Sequence, residues 1–330
     1  LRFVLPFALC LLSALNLSCN DKNKPPWRPP SSNYYEGLVF NLGGNVTFFD
    51  PGDLNVVDVD TLHSWVVVGA QVWKGNNEIV VADATTWRLA VLQLPEFELL
   101  TETYLGGAPQ DVTSLPDMSH IFAVTANGNF WNYDQTTGTL DTLEVKLHPR
   151  RLALRPPAFD QAWVVCAGNN MLHIFDVTTM ELVDTLSFEL PPCAIAFRPD
   201  GLQVYIALTG NPGRLVTLEC DSLQHVSDFT VGAGPFELDV SADGRYLAIS
   251  DSLTGVLTFQ DLESRRSWDF YAGGQLGRVR FSEPTQSCYV VSLRNSCVTR
   301  FKFGPDGPLP FDTLCTPETA SELVIWDAAE

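Results

Sequence analysis

The sequence predicts an all-β fold, a seven-bladed β-propeller, and three observations carry that expectation. The first is a repeat. Segments opening at Pro109 (Pro-Gln-Asp-Val-Thr-Ser-Leu-Pro), Pro149 (Pro-Arg-Arg-Leu-Ala-Leu-Arg-Pro), Pro192 (Pro-Cys-Ala-Ile-Ala-Phe-Arg-Pro-Asp-Gly) and Pro235 (Pro-Phe-Glu-Leu-Asp-Val-Ser-Ala-Asp-Gly) follow one another at 40, 43 and 43 residues. The second is that each unit holds four strand-like runs, which at this period marks a propeller blade. The third is that the last run of the chain supplies a piece missing from its first unit.

The elements of a unit follow in order. The first run is short and follows the Pro, as in Cys193 to Phe197. A turn with Pro-Asp-Gly or Ala-Asp-Gly comes next, where Gly tolerates positive φ. The second run is β-branched and aromatic, as in Val204 to Ala207, Tyr246 to Ile249, Trp163 to Cys166 and Tyr289 to Ser292, and suits a strand buried on both faces. A third run, such as Met171 to Phe175, often ends at an Asp: Asp50, Asp134, Asp176, Asp221 and Asp261. A short carboxylate there bonds backbone amides of the following turn. A fourth run, such as Leu182 to Phe188, completes the unit.

Six units start near Ala70, Pro109, Pro149, Pro192, Pro235 and Gly277. Ahead of them, Gly37 to Leu62 carries the second, third and fourth runs but no first. Ser321-Glu-Leu-Val-Ile-Trp aligns with Phe236-Glu-Leu-Asp-Val-Ser, a first run. The C-terminal strand is therefore expected to complete the N-terminal blade and close the ring, leaving no open edge between the ends.

The Pro-x-x-aliphatic pattern with its Asp-Gly turn and aromatic-Val-Ile-Ala run resembles the YVTN-type seven-bladed propeller repeat over residues 37 to 326. The wider group holds lactonase-like and quinoprotein-like propellers. The resemblance implies the fold and says little of activity.

Residues 1–18 are read as a signal peptide, with Arg2 as a minimal charged start and an apolar stretch from Phe3 to Leu17. Leu17-Ser18-Cys19-Asn20 resembles a bacterial lipoprotein signal, making Cys19 the candidate lipid attachment; Asn16 departs from that pattern. Simple secretion and an uncleaved anchor remain alternatives. Residues 19–36 read as a Pro-rich tether, or as an ordinary N-terminal tail, and 37–330 as a single propeller domain. An exported, monomeric envelope protein is expected.

The net charge is −19, or −20 counted from Cys19 since only Arg2 is lost among charged residues. This disfavours nucleic acid and anionic lipid as partners, leaving the lipid anchor as the sole membrane contact. Beyond Cys10 and Cys19, six cysteines (166, 193, 220, 288, 297 and 315) allow up to three disulfides or buried free thiols. A turn near Asn295 sets Cys297 opposite Leu293, against a Cys288–Cys297 bond. No zinc spacing is present. His63, His120, His148, His173 and His225 share no repeat position, and there is no Gly-x-Ser-x-Gly, phosphate loop or calcium loop, so no metal or cofactor is expected.

The channel mouth is the remaining candidate. Residues just after the Pro anchors are expected to ring it: Gln110, Asp111, Arg150, Arg151, Cys193, Phe236, Glu237 and Arg278, with Glu322 in the equivalent place. Its arginines either hold a carboxylate or phosphate or pair with Asp111, Glu237 and Glu322 across blades. On the turns of the same face, Trp87, Arg214 and Arg294 stand out as contact residues. A non-catalytic envelope protein binding a protein, peptide or glycan through this face is the first expectation. A lactonase-like hydrolase of a small sugar lactone is the alternative. A redox accessory role is the third, although no Cys-x-x-Cys-His is present.

Overall fold

The computed structural model describes residues 35–327 except 63–64, 74–76, 95 and 146–147. The signal and tether expected at 1–18 and 19–36, with Cys10 and Cys19, lie outside the described residues but for the last two tether positions, which open the first strand; His63 lies outside as well.

Seven four-stranded antiparallel sheets form the blades, each running from an inner to an outer strand. Blade I comprises β28 (Ala320–Asp327), β1 (Tyr35–Asn41), β2 (Asn45–Phe49) and β3 (Val56–Thr61). Blade II is β4 (Val67–Trp73), β5 (Glu78–Asp83), β6 (Arg88–Gln93) and β7 (Glu98–Tyr104). Blade III is β8 (Pro109–Ser114), β9 (His120–Thr125), β10 (Asn129–Asp134) and β11 (Thr139–Glu144). Blade IV is β12 (Pro149–Leu154), β13 (Gln161–Cys166), β14 (Met171–Asp176) and β15 (Leu182–Ser187). Blade V is β16 (Pro192–Phe197), β17 (Gln203–Leu208), β18 (Gly213–Glu219) and β19 (His225–Val231). Blade VI is β20 (Pro235–Val240), β21 (Tyr246–Asp251), β22 (Val256–Asp261) and β23 (Ser267–Tyr271). Blade VII is β24 (Leu276–Ser282), β25 (Ser287–Ser292), β26 (Cys297–Gly304) and β27 (Gly307–Cys315).

The apolar second runs become strands buried on both faces, because every blade is sandwiched by its neighbours. The outer strands are mostly exposed with interspersed half-buried positions, and β23 alternates strictly, as a strand with one wet face should. One apolar cluster fills each of the seven blade interfaces. Between blades IV and V, Trp163 is fully buried, edge-on to Phe197 at 5.2 Å, and donates Nε1–H to Gln161 Oε1. Each such large buried side chain contributes about 1.5–3 kcal/mol by leaving water.

The turn chemistry is local. Gly201 takes φ of +69° in Pro199-Asp200-Gly201, and a Cβ there would meet Pro156 O at 1.8 Å. Only glycine fits that close approach. Asp134, Asp176 and Asp261 end their third strands and accept two amide N–H groups from the following turn. Blade V departs from this expectation. Glu219 occupies the strand-end register opposite Gln203, and Asp221, two residues on, accepts a bond from Arg155 instead.

The ring closes as the terminal runs indicate. β28 pairs antiparallel with β1 from Tyr35↔Asp327 to Asn41↔Ala320. Leu323 and Val324 then enter the clusters on either side of blade I. A disulfide joins Cys297 and Cys315, register partners on β26 and β27, while Cys166, Cys193, Cys220 and Cys288 are buried free thiols. Cys297 lies opposite Ser292 rather than Leu293, because the turn takes four residues, ending at Ser296 with positive φ.

A chain ending at Pro317 lacks β28, so the inner edge of β1 is unpaired and two interface clusters are incomplete. Thermal unfolding of this truncation should lose the single cooperative transition of the full chain. A cooperative transition within a few degrees of the full-length value would reject closure as the basis of stability.

Candidate functional site at the plugged central channel

Every innermost strand carries an irregularity at the same place. The register with its neighbour shifts around the second residue in all seven blades: Val68, Gln110, Arg150, Cys193, Phe236, Gly277 and Ser321. Such a bulge re-aims side chains. The second and third residues therefore do not simply alternate between faces. The third residues are Gly69, Asp111, Arg151, Ala194, Glu237, Arg278 and Glu322, and the charged ones meet inside the channel.

Arg278 is the hub. It is 3% exposed, and its guanidinium donates to Asp111 Oδ1 at 2.8 Å, Glu237 Oε2 at 2.5 Å, Glu322 Oε2 at 2.8 Å and Val68 O at 3.0 Å. Arg151 donates Nε–H to Glu237 Oε2 at 3.0 Å and stacks over the Phe236 ring at 4.9 Å. Arg280, two residues beyond Arg278, donates to Val279 O at 2.8 Å and reaches Glu237 at 3.4 Å and Glu322 at 4.0 Å. Three arginines thus face Asp111, Glu237 and Glu322, and the formal charges balance.

Amide groups of adjoining blades complete the network. Asp111 Oδ2 accepts Leu152 N–H, Asp239 Oδ2 accepts Phe281 N–H at 2.7 Å, and Gln71 Oε1 accepts Ser114 N–H at 2.9 Å. In each pair an inner-strand side chain of one blade satisfies the backbone of the next.

The titration behaviour follows from this packing. Burial works against the charged form of Glu237, but Arg278, Arg151 and Arg280 outweigh it and hold the carboxyl well below its ordinary value. Burial also opposes the Arg278 charge, and the Glu237, Glu322 and Asp111 carboxylates overcome it, pushing its pKa up. For Glu322 burial prevails over Arg278 and Arg280, so its pKa rises. Asp239 is pushed up to about 6 by burial, only partly offset by Arg280.

The plug leaves a mouth on each side. The upper mouth, on the side of the turns between second and third strands, is a cavity of about 430 Å³ lined by Gln110, His148, Arg150, Cys193 and Thr209. Arg150 is half-buried there, and among the described residues its guanidinium has no ion-pair partner. Burial, with the Arg151 charge beside it, pulls its pKa down. Cys193 is 3% exposed, and its thiol donates to Pro235 O at 3.1 Å; burial pushes its pKa up, so it is a neutral wall group. The lower mouth is a cavity of about 520 Å³.

Of the residues expected to ring the entrance, Gln110, Arg150 and Cys193 line it. Asp111, Arg151, Glu237, Arg278 and Glu322 lie beneath it, joined to one another. Trp87 and Arg294 stand apart on the turns of blades II and VII, whereas Arg214, expected on a turn, lies within β18 of blade V, paired with Leu208 and Thr230. Trp87 is 42% exposed and stacks on Tyr104 with centroids 6.4 Å apart, on a turn held by the buried Asp83 carboxylate. Arg214 is tied to Asp228 and Glu189, while Arg294 is exposed. Sequence reasoning missed Arg280 and Asp239. Their signal was present, because residues two apart on a strand face the same way, and these lie two beyond Arg278 and Glu237. Among the described residues, no group of three or more His, Cys, Asp or Glu is arranged to hold a metal ion.

No family model matches the chain, and no curated protein matches it. Solved structures do resemble it. A candidate 6-phosphogluconolactonase from Bacteroides fragilis has a TM-score of 0.74 at 13% identity, covering 90% of this chain and 99% of that one. A protein of unknown function from Desulfotomaculum acetoxidans has a TM-score of 0.71 at 16% identity, covering 88% and 98%. The hydrazine synthase of Kuenenia stuttgartiensis has a TM-score of 0.66 at 13% identity, covering 75% and 80%. At these identities the likeness shows the fold alone, and in fold class the chain is a closed seven-bladed β-propeller.

Replacing Arg278 by Met leaves three buried carboxylates short of their main partner. Chemical denaturation should show a loss of roughly 3–5 kcal/mol, partly recovered when Glu237→Gln is added. A loss below about 1 kcal/mol would rule out the hub. Asp239 makes a pH prediction. Its raised folded pKa stabilises the fold below the unfolded value near 3.8, and that contribution is lost as pH rises through about 6. The stability difference between the native protein and Asp239→Asn should therefore fall from pH 4 to 7, by up to about 3 kcal/mol. A flat difference would refute the assignment.

Proposed function

We propose that this protein is a non-catalytic binding platform that receives an anionic group of a protein, peptide or glycan partner at its upper mouth. The observation that carries this reading is Arg150. Arg278 and Arg151 are bound within the plug, whereas Arg150 sits half-buried beside the Arg151 charge with no counter-ion among the described residues. A carboxylate or phosphate entering the cavity would supply one, with bidentate geometry available to it. The plug beneath keeps the ligand at the mouth. Exposed Trp87 and Arg294, on turns of the same side, supply further contact area.

The repeat pattern supports a YVTN-type assignment. The Leu17-Ser18-Cys19-Asn20 segment and the Pro-rich stretch after it support an exported lipoprotein tethered through Cys19. In the alternative reading, a lactonase-like hydrolase would use the same mouth, with Arg150 holding the anionic end of a sugar lactone.

Arg150→Gln should weaken capture of an envelope partner in crosslinking and titration by tenfold or more, with the melting temperature unchanged or raised because no ion pair is lost. Arg88→Gln, whose partner Glu102 is on an outer strand, serves as the control. Undiminished capture by Arg150→Gln would sink the proposal, and turnover of a sugar lactone by the native protein would favour the hydrolase.

A further inference from the structure

We infer that the lower mouth is a second ligand site, independent of the upper one, for a small monocarboxylate with an apolar body. The fifth residues of the inner strands form a ring just beyond the plug. They are Gln71, Thr113, Ala153, Ala196, Asp239 and Arg280 on blades II to VII, while the equivalent Val324 of blade I is packed into the cluster between blades I and II. This ring has two unlike halves. Blades VI, VII, II and III contribute polar groups, while blades IV and V contribute only alanines, which leave room. Behind the alanines the cavity wall is apolar, with Phe197, Leu154 and Phe159. A cavity of about 520 Å³ with one apolar side and a few convergent polar groups is the usual form of a small-molecule site.

Arg280 is the group that would hold the carboxylate. Its short hydrogen bond goes to the carbonyl of its own neighbour, Val279. Its approaches to Glu237 Oε1 and Glu322 Oε1 are long, at 3.4 and 4.0 Å, whereas Arg278 and Arg151 hold Glu237 Oε2 and Arg278 holds Glu322 Oε2 at 3.0 Å or less. Its side chain is 27% exposed, unlike that of Arg278 at 4%. Donors therefore remain for a guest, and a guanidinium offers two in parallel. The nearby carboxylates of Asp239, Glu237 and Glu322 limit the guest to a single negative charge, since a dianion would be repelled.

The ion-pair plug separates this mouth from Arg150, so the two sites are occupied without competing.

The test is a titration of the full-length protein with phenylacetate and hexanoate, followed by ligand-observed magnetisation transfer and calorimetry. Phenylacetamide is the uncharged control. Both acids should bind and the amide should bind at least tenfold more weakly. Arg280→Gln should weaken the acids tenfold or more, Ala153→Leu should abolish binding by filling the apolar half, and Arg150→Gln should bind as the native protein does. If Ala153→Leu does not fold, Arg280→Gln alone decides. Equal binding of acid and amide, binding lost in Arg150→Gln but kept in Arg280→Gln, or no binding of either acid at millimolar concentration would each overturn the inference.

Discussion

Arg278 sits at the centre of the ring, and its guanidinium reaches groups on four blades. It takes a carboxylate from blade III, one from blade VI, one from blade I and a carbonyl from blade II. A buried arginine is tolerated only when its charge and donors are met, and here both are. The contact with Glu322 matters for closure as well as charge. Glu322 belongs to the C-terminal strand, so the residue that plugs the channel also holds the closing strand on its inner side. Apolar clusters between blades supply most of the stabilisation, and the arginine sets where the inner strands meet.

The two mouths depend on this arrangement. A channel without the plug would be one tube lined by mixed charges. With it, Arg150 faces one cavity and Arg280 the other, and the two guanidiniums differ in what surrounds them. Arg150 lies beside a second cation, which favours an anion as its neighbour. Arg280 lies beside carboxylates that other arginines already occupy, which favours a single weak charge. The bulge at the second residue of each inner strand separates these roles. It turns Arg150 to the mouth while Arg151, the next residue, enters the plug.

Much of the fold was legible because its signals are local or periodic. Pro at the start of the inner strand, Asp-Gly in the turn and a β-branched second run recur at fixed spacing. The completion of the first blade by the last strand followed from aligning Ser321-Glu-Leu with Phe236-Glu-Leu. Misplacements occurred where one residue changes the register. Cys297 shifted by one because of a four-residue turn, and Glu219 took the place expected for an Asp. The partner of Cys297 was not legible. Cys315 lies across a hairpin whose length is set by an irregular β26–β27 register.

The sequence by itself determined the architecture, the blade order, the manner of closure and the set of charged residues near the axis. These depend on periodicity and on pairings between aligned positions, which a linear text preserves. The tertiary structure alone decided which of those charges neutralise one another and which remain available. Arg150 and Arg151 are adjacent and chemically identical, and nothing local distinguishes them. Only the bulge and the positions of Glu237, Glu322 and Asp111 around the ring place one in a buried ion pair and the other at an open mouth. Charge interactions at close range depend on distance and burial, and the ring converts sequence separations of 40 to more than 160 residues into contacts of about 3 Å.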